Sequence, residues 1–582
     1  MNRSSGVAAS YPLPPNQDDN YDIFFEKIEY DGLDISRIEY YSDCRTGKFR
    51  NDFTYDKNHR IIEMKNAIFE PERKNDRYST AYTYDQAGNI ITLTRRGMTT
   101  PPGSNDPQYG LIDNLLYEYD ISNPGVKRLT SVDDLLQGPT QAYGFEPDIM
   151  QTGYDNNGNM LSNENGSVEW SVINMPFSAT LSDGTMKFDY TYTGEKIKVE
   201  RTGPDGEQRL YLAGAEYVFD TETSTWVLDN YQFEEGRKQY ITDEYPQDPK
   251  PAVIQYQITD HLGNLAVLFS DANGDGHISS ETEAVENGED PEIIQRMYYY
   301  PFGLPMQGNW TNTTEYQDRY TYNHKEQVTG LEWFAYGARY YDAKIGRFAG
   351  VDPLAEKYPS ISSYAYVANN PINMIDPDGR YIVPAAFAQK YKMITSYLQK
   401  HVANDVMNSP TILNAFASNT AADSPDGVGN LSVDKVRETV TWGSGPSIIA
   451  KDNPGDMSGA NGFYDSTTGE IQLSTARLDH LEAVLSSDAS DEDKFKALLP
   501  VYMTLLHETV HYGDYLDGLR QDGGEPGNEF ESDVWMSKRV EADGETFDVF
   551  YFFGDKYNPN DVQEIIDEKK DQNVFPTVPK NE

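Results

Sequence analysis

The sequence predicts a multidomain protein: an all-β region built as a spiral of short hairpins, followed by a mainly α (α+β) C-terminal domain. Three observations predict it. Tyrosine is over-used, 43 Tyr against 24 Phe and 6 Trp, which suits half-buried strands where the ring packs and the hydroxyl stays wet. Tyr-Asp pairs recur at Tyr55-Asp56, Tyr84-Asp85, Tyr119-Asp120 and Tyr154-Asp155, at spacings of 29, 35 and 35 residues, the mark of one repeated supersecondary unit. After residue 380 the alternating pattern gives way to helical spacing.

At 582 residues the chain has room for several cores. Its net charge of −46 excludes partners recognised through phosphate, because counterion displacement needs a basic surface. Nucleic acid is therefore not an expected partner. A single cysteine, Cys44, excludes an internal disulfide framework. Residues 1–21 carry no apolar h-region and are expected to be disordered, and nowhere do eighteen apolar residues run uninterrupted. Neither a signal peptide nor a membrane span is expected in this chain.

From Asp22 to Tyr300, runs such as FTYDKNHRII, TAYTYDQAGNIITLT and TGYDNNGNML alternate aromatic or β-branched with polar residues and are separated by Asn, Asp and Gly. These read as hairpins, the glycines supplying the positive φ of tight turns. Each Tyr-Asp is expected to be structural, the ring packed and the carboxylate closing the turn through its own backbone. The loop Asp271-Ala272-Asn273-Gly274-Asp275-Gly276-His277-Ile278-Ser279 matches a calcium loop at Asp271, Asn273, Asp275 and Ser279. Position 12 is Thr282 in place of glutamate, so a calcium site and an ion-free turn are equal alternatives.

The spacing and texture of these repeats resemble YD-repeat, or Rhs, proteins, whose repeats coil into a hollow β-shell. The resemblance sharpens from Asp260 to Arg380, where DHLGNLAVLFSDANGDG, YYYPFGLPM, GARYYDAKIGRFAGVDP and INMIDPDGR look like the Rhs-associated core. It implies a YD-repeat shell over 22–259 and a core over 260–380. A variable, often toxic domain would follow over 381–582. For self-cleaving members of that family it also implies a site near 380/381, formed here by Arg339, Asp352 and Asp376, with Asp378 close by. Two carboxylates sharing a proton can activate water against a peptide bond, and an arginine can hold one of them ionised. Many self-cleaving relatives have a bulky apolar residue where this chain has Arg380.

Beyond the boundary, Phe387, Tyr391, Ile394, Tyr397 and Leu398 share one helical face. Further on, Phe495, Leu498, Leu499, Tyr502, Leu505 and Leu506 build an apolar stripe leading into His507-Glu508-Thr509-Val510-His511. Ser490 and Asp493 look like its capping start, and Pro500 is expected to kink or restart the helix. On a helix, His507 and His511 lie one turn apart on one face, where both imidazoles can reach one zinc ion, and Glu508 projects beside them as general base. Thermolysin-like enzymes carry their third ligand on a glutamate some twenty residues later, which favours Glu531. Glu529 is an alternative, and so is Asp517, the position at which some extended zinc motifs place a His or Asp.

The motif and its surroundings resemble the metallopeptidase toxin domains that end polymorphic toxins. That resemblance implies a zincin-like domain that hydrolyses protein or peptide in a target cell. It also implies a shell that holds the enzyme inactive, a cognate immunity protein in the producer, and secretion or delivery into a competing bacterium. About as many shell residues as are present here imply a partial shell. A surface adhesion or signalling protein with an inert or maturation-type C-terminal domain is the alternative, and an amidase acting on cell wall fits the same motif.

Overall fold

The computed structural model describes, apart from short omissions, residues 24–120, 128–136, 144–145, 149–240, 252–279, 292–308, 317–355, 361–419, 436, 439–440, 447–456, 461–465, 470–516 and the strands 538–542 and 545–549. The expected disordered segment 1–21 lies outside the described residues. The chain divides into two compact units, Met1–Ala385 and Ala386–Glu582. Strand Met374–Ile375 pairs with Val383–Pro384, which ties the residues just past the DPDG loop to the first unit.

The first unit is mostly β-sheet. Ten antiparallel strands between Phe25–Asp31 and Ile149–Gln151 form one sheet, with Arg73–Asn75 attached beside the main path. Twelve more, from Ser162–Asn163 to Ile293–Arg296, form a second sheet in strict sequence order. Glu326–Val328, Trp333–Ala335, Tyr340–Asp342 and Arg347–Phe348 make a smaller sheet. Neighbour-on-neighbour pairing is what a string of hairpins gives, since each turn fixes the register of the next strand.

The turns explain the repeat. At Asp85 the N–H donates to Asn89 O at 3.0 Å while Gly88 N–H returns to Asp85 O at 3.2 Å. The Asp85 carboxylate accepts from the N–H and the side-chain amide of Asn89. Asp155 holds Asn159 in the same way, as does Asp260 with Asn264. The fourth turn residue is left-handed each time, at Gly88 (φ +79°), Gly158 (φ +85°) and Gly263 (φ +76°), a conformation glycine adopts without strain. Each Tyr hydroxyl reaches back one hairpin. Tyr55 donates to Ile35 O, Tyr84 to Ile61 O and Tyr119 to Ile90 O, at 2.9, 2.6 and 2.7 Å. The Tyr-Asp pair is thus a turn clasp and an inter-hairpin rivet.

Alternate residues of the strands face a common core, as in Thr80–Tyr84, where buried and exposed positions alternate. The most completely buried side chains of that core include Trp333, Phe334, Tyr341 and Ile345, so the segment after the large sheets fills the centre of the unit.

In the second unit, helices α1 (Ala385–Lys390), α2 (Lys392–Lys400), α3 (Val402–Met407) and α4 (Pro410–Asn419) precede a three-stranded sheet. Strands β1 (Ser447–Lys451) and β2 (Gly462–Asp465) flank β3 (Glu470–Ser474), β1 parallel and β2 antiparallel to it. Helices α5 (Thr475–Leu485) and α6 (Asp491–Leu516) follow. Phe387, Tyr391, Ile394, Tyr397 and Leu398 are all buried, as their spacing demands. The Glu482 carboxylate of α5 accepts the N–H groups of Met393 and Ile394, at 2.8 and 3.0 Å, and so caps the otherwise unpaired first turn of α2.

Candidate metal centre and core-loop cluster

Helix α6 starts where its sequence says. Ser490 Oγ accepts the N–H of Asp493 and donates to its carboxylate, the reciprocal arrangement that satisfies orphan donors of a first turn. Pro500 does not end the helix, which runs unbroken from Asp491 to Leu516. Leu498, Leu499, Tyr502, Leu505 and Leu506 are buried, and α6 packs against α5 and β2. This fixes the rotation of the helix and sets Glu508 on the side that meets β2.

His507 and Glu508 are buried, and His511 is partly so. Ligand atoms of the three lie within 4.8 Å of one another, the one such group of three His, Cys, Asp or Glu side chains among the described residues. Nε2 of His511 stands 3.3 Å from Nε2 of His507. Two nitrogens each about 2.05 Å from a tetrahedral ion are separated by about 3.3 Å, so the pair already has the spacing of zinc ligands. Burial, then the neighbouring His507, push the His511 imidazole down to about 4. It is neutral at physiological pH, the form that ligates a metal. The donor set fits zinc.

Glu508 is held from the sheet. The Tyr464 N–H of edge strand β2 donates to Glu508 Oε2 at 2.8 Å. That contact needs a bare backbone two residues earlier, for a Cβ at Gly462 would meet Thr504 Cγ2 at 2.5 Å and Glu508 Cγ and Oε1 at 3.1 Å. Tyr464 and Tyr512 also meet edge to face, ring centroids 5.7 Å apart. The candidate third ligands Glu531, Glu529 and Asp517 lie outside the described residues. His480 is exposed on α5.

In the first unit the core-loop residues also converge. Arg339 Nη2 lies 3.0 Å from Asp376 Oδ2 and 3.1 Å from Asp352 Oδ2. Arg339 Nε donates to Gly379 O at 2.6 Å, while Asp376 Oδ1 accepts the N–H groups of Gly379 and Arg380 at 2.8 and 3.0 Å. The guanidinium is also stacked over Phe348, 3.6 Å from the ring centroid. Burial raises the Asp352 carboxyl against the pull of Arg339, and burial and then Asp376 push Asp378 up to about 7. A cavity of about 340 Å³, lined by Trp170, Tyr192, Arg339, Gly350, Asp352 and Arg380 among others, opens beside the cluster and gives water a way in.

Residues 387–536 match the family described as metallopeptidase toxin 3. The C-terminal segment is similar to metallopeptidase toxins. The chain is also 26% identical over 319 residues to toxin subunit YenC2 of Yersinia entomophaga, a match covering 52% of this chain and 29% of that protein. It is 27% identical over 228 residues to salivary gland surface protein 1 of Aedes aegypti, covering 38% of this chain and 6% of that protein. The chain thus spans less than a third of the length of these curated relatives. Among solved structures, that of the Photorhabdus luminescens Tc holotoxin pore aligns over 61% of this chain and 18% of that one, with a TM-score of 0.42 and 18% identity.

A metallopeptidase toxin segment implies a metal and a protein substrate. Calcium finds no such support at the 271–279 turn. There Asp271 accepts the N–H groups of Gly274 and Gly276 and Asn273 Oδ1 that of Asp275, so their oxygens serve to close the turn. Buried Glu292 takes both the N–H and the hydroxyl of Ser279, a partner that sequence spacing does not reveal. Gly462 and Tyr464 were likewise invisible in the sequence, since nothing local ties them to Glu508. Among the described residues no helix is long and apolar enough to cross a membrane.

Proposed function

We propose that the chain is a polymorphic toxin of the Rhs type whose C-terminal domain is a zinc metallopeptidase hydrolysing peptide bonds in a target cell. His507 and His511 would hold the ion, with Glu531, or else Glu529 or Asp517, as third ligand. Zinc bound there supplies a Lewis acid for a peptide carbonyl and lowers the pKa of water toward about 7. Glu508 would act as general base, taking a proton from the attacking water and returning it to the leaving amine. The Tyr464 N–H keeps the carboxylate turned toward its task. The observation that carries this reading is the convergence of His507, Glu508 and His511 within the segment matching metallopeptidase toxin 3. The YD-repeat unit encloses the peptidase until delivery, and an immunity protein guards the producer. Elemental analysis of the full chain tests the site: one equivalent of zinc, lost in His511→Ala, is expected. A metal-free wild type purified without chelators removes the peptidase reading.

The cluster at Arg339, Asp352 and Asp376 supports a second reaction, hydrolysis of the chain near 380/381. Water oxygen adds to the loop carbonyl carbon, one carboxylate takes the water proton, the C–N bond breaks and the proton passes to the new amine. Arg339 stabilises the charge that develops on the carbonyl oxygen. Intact-mass measurement of the purified chain shows two fragments if this occurs, and one species in Asp352→Asn.

The similarity to a surface protein of Aedes aegypti favours, as the second reading, a surface adhesion or signalling protein. It predicts that expression of the full chain in a susceptible cell is harmless, with or without Glu508→Gln.

A further inference from the structure

One cation reaches the DPDG loop that neither carboxylate chemistry nor the arginine accounts for. Lys325 Nζ donates to Pro377 O at 2.6 Å. The next two carbonyls of the loop are also held, Asp378 O by the Ala338 N–H at 3.0 Å and Gly379 O by Arg339 Nε at 2.6 Å. Three successive carbonyls therefore have one donor each, and Lys325 supplies the first.

The backbone delivers that ammonium with little freedom. Asn323 and His324, which precede it, are both left-handed, at φ +49° and +54°, a conformation that persists in such residues only when the surroundings enforce it. Here they do. Asn323 Nδ2 donates to Leu262 O at 3.0 Å, and its Oδ1 accepts the hydroxyls of Tyr336 and Tyr366. The Lys325 N–H closes the turn on Tyr322 O at 2.9 Å, and its Nζ lies 5.6 Å from the centre of the Tyr336 ring.

Its charge is matched to the loop as well. Burial lowers the Lys325 ammonium, and the groups that oppose this are Asp378 and then Asp376. Around the loop, Lys325, Arg339 and Arg380 face Asp352, Asp376 and Asp378. Removing Lys325 leaves Asp376 paired with Arg339 and Asp378 beside Arg380, but with less positive charge to offset the repulsion between the two carboxylates.

We propose that Lys325 is a positioning residue of the self-cleavage site, fixing the Pro377 carbonyl and balancing Asp376 and Asp378 so that the loop is presented to Arg339 and Asp352 in one conformation. The proposal rests on the self-cleavage reading. It assigns Lys325 no proton transfer and no contact with the attacking water. What it supplies is alignment, whose loss slows a reaction without abolishing its groups.

The test follows fragment appearance from the full chain by intact-mass spectrometry across pH, in wild type, Lys325→Gln and Lys325→Arg. Glutamine keeps a donor but removes the charge. The expected result is cleavage slowed roughly a hundredfold, with the midpoint of the pH–rate profile moved upward because Asp378, already raised by burial and Asp376, has lost one of the two cations beside it. Arginine keeps the charge and is expected to hold the wild-type midpoint with a rate within about tenfold. A merely structural lysine would leave the midpoint in place. If Lys325→Gln does not fold by circular dichroism, Lys325→Met is read in the same way. Wild-type rate and midpoint in the uncharged variant overturn the role of Lys325 while leaving self-cleavage standing. A wild-type chain that stays whole at every pH overturns self-cleavage itself, and the positioning role falls with it.

Discussion

The imidazoles of His507 and His511 sit one helical turn apart with Nε2 atoms 3.3 Å from each other and ring planes at 65°. Glu508 lies between them in sequence but is held by another element, the Tyr464 N–H. On the proposed reading, metal binding and proton transfer are therefore expected to be separable. Glu508→Gln is expected to keep its zinc and to lose about 10²- to 10⁴-fold in peptide hydrolysis. Zinc content and hydrolysis rate of the same preparation check this, and a variant that loses metal along with activity would contradict the separation.

Gly462 is expected to tolerate no side chain. A Cβ there meets Thr504 Cγ2 at 2.5 Å, and that methyl cannot retreat because its own hydroxyl is tied to Pro500 O at 2.9 Å. Gly462→Ala should force β2 from α6, lowering stability by about 1–3 kcal/mol and loosening the Tyr464 contact with Glu508. Thermal melting and kcat should fall together, with bound zinc retained. Unchanged kcat would mean that the strand does not position the base.

Much of this was legible in sequence for a physical reason. The Tyr-Asp turns and the apolar stripe of α6 are local patterns, closed within about four residues, so period and turn chemistry report them directly. Pairing across long separations is not local. Tyr464 is 44 residues from Glu508, Lys325 is 52 from Pro377, and both contacts depend on tertiary packing. Arg339, Asp352 and Asp376 were named only through a family resemblance, for nothing in their spacing says that one guanidinium bridges both carboxylates. Pro500 shows the opposite limit: a local rule demands a kink or restart, and the helix runs from Asp491 to Leu516 without restarting, packed against α5 and β2.

The buried pair Arg95 and Asp113 should dominate the stability of the first unit's leading sheet. Their side chains are 1% and 0% exposed, Arg95 also donates to Lys344 O at 2.7 Å, and Asp113 Oδ1 accepts the Phe145 N–H. Arg95→Met strands a carboxylate in the core and is expected to cost about 3–5 kcal/mol in denaturant unfolding. Adding Asp113→Leu should recover part of that loss. Full recovery is not expected, because Phe145 N–H then lacks its acceptor. A double variant as unstable as the single one would argue against an unpaired charge as the cause.

Asp342 should make the first unit less stable as pH rises. Burial, then the nearby Glu164 carboxylate, push it up to about 7, against the pull of Lys344 and of the Trp333 Nε1–H. Lys344 itself is paired with Glu164 at 2.9 Å and also faces Glu332, so its charge is shared among three carboxylates, Asp342 included. The folded protein holds the Asp342 proton more tightly than the unfolded chain does, whose value is near 3.8. The resulting stability is complete below about pH 4 and is lost as pH rises through about 7. Asp342→Asn cannot release a proton, and whatever fixed offset it introduces at Trp333 is the same at every pH. Melting temperatures from pH 4 to 8 should therefore fall more steeply for wild type than for Asp342→Asn, the two curves converging or crossing toward the alkaline end. Parallel curves would show that Asp342 titrates alike in the folded and unfolded chain.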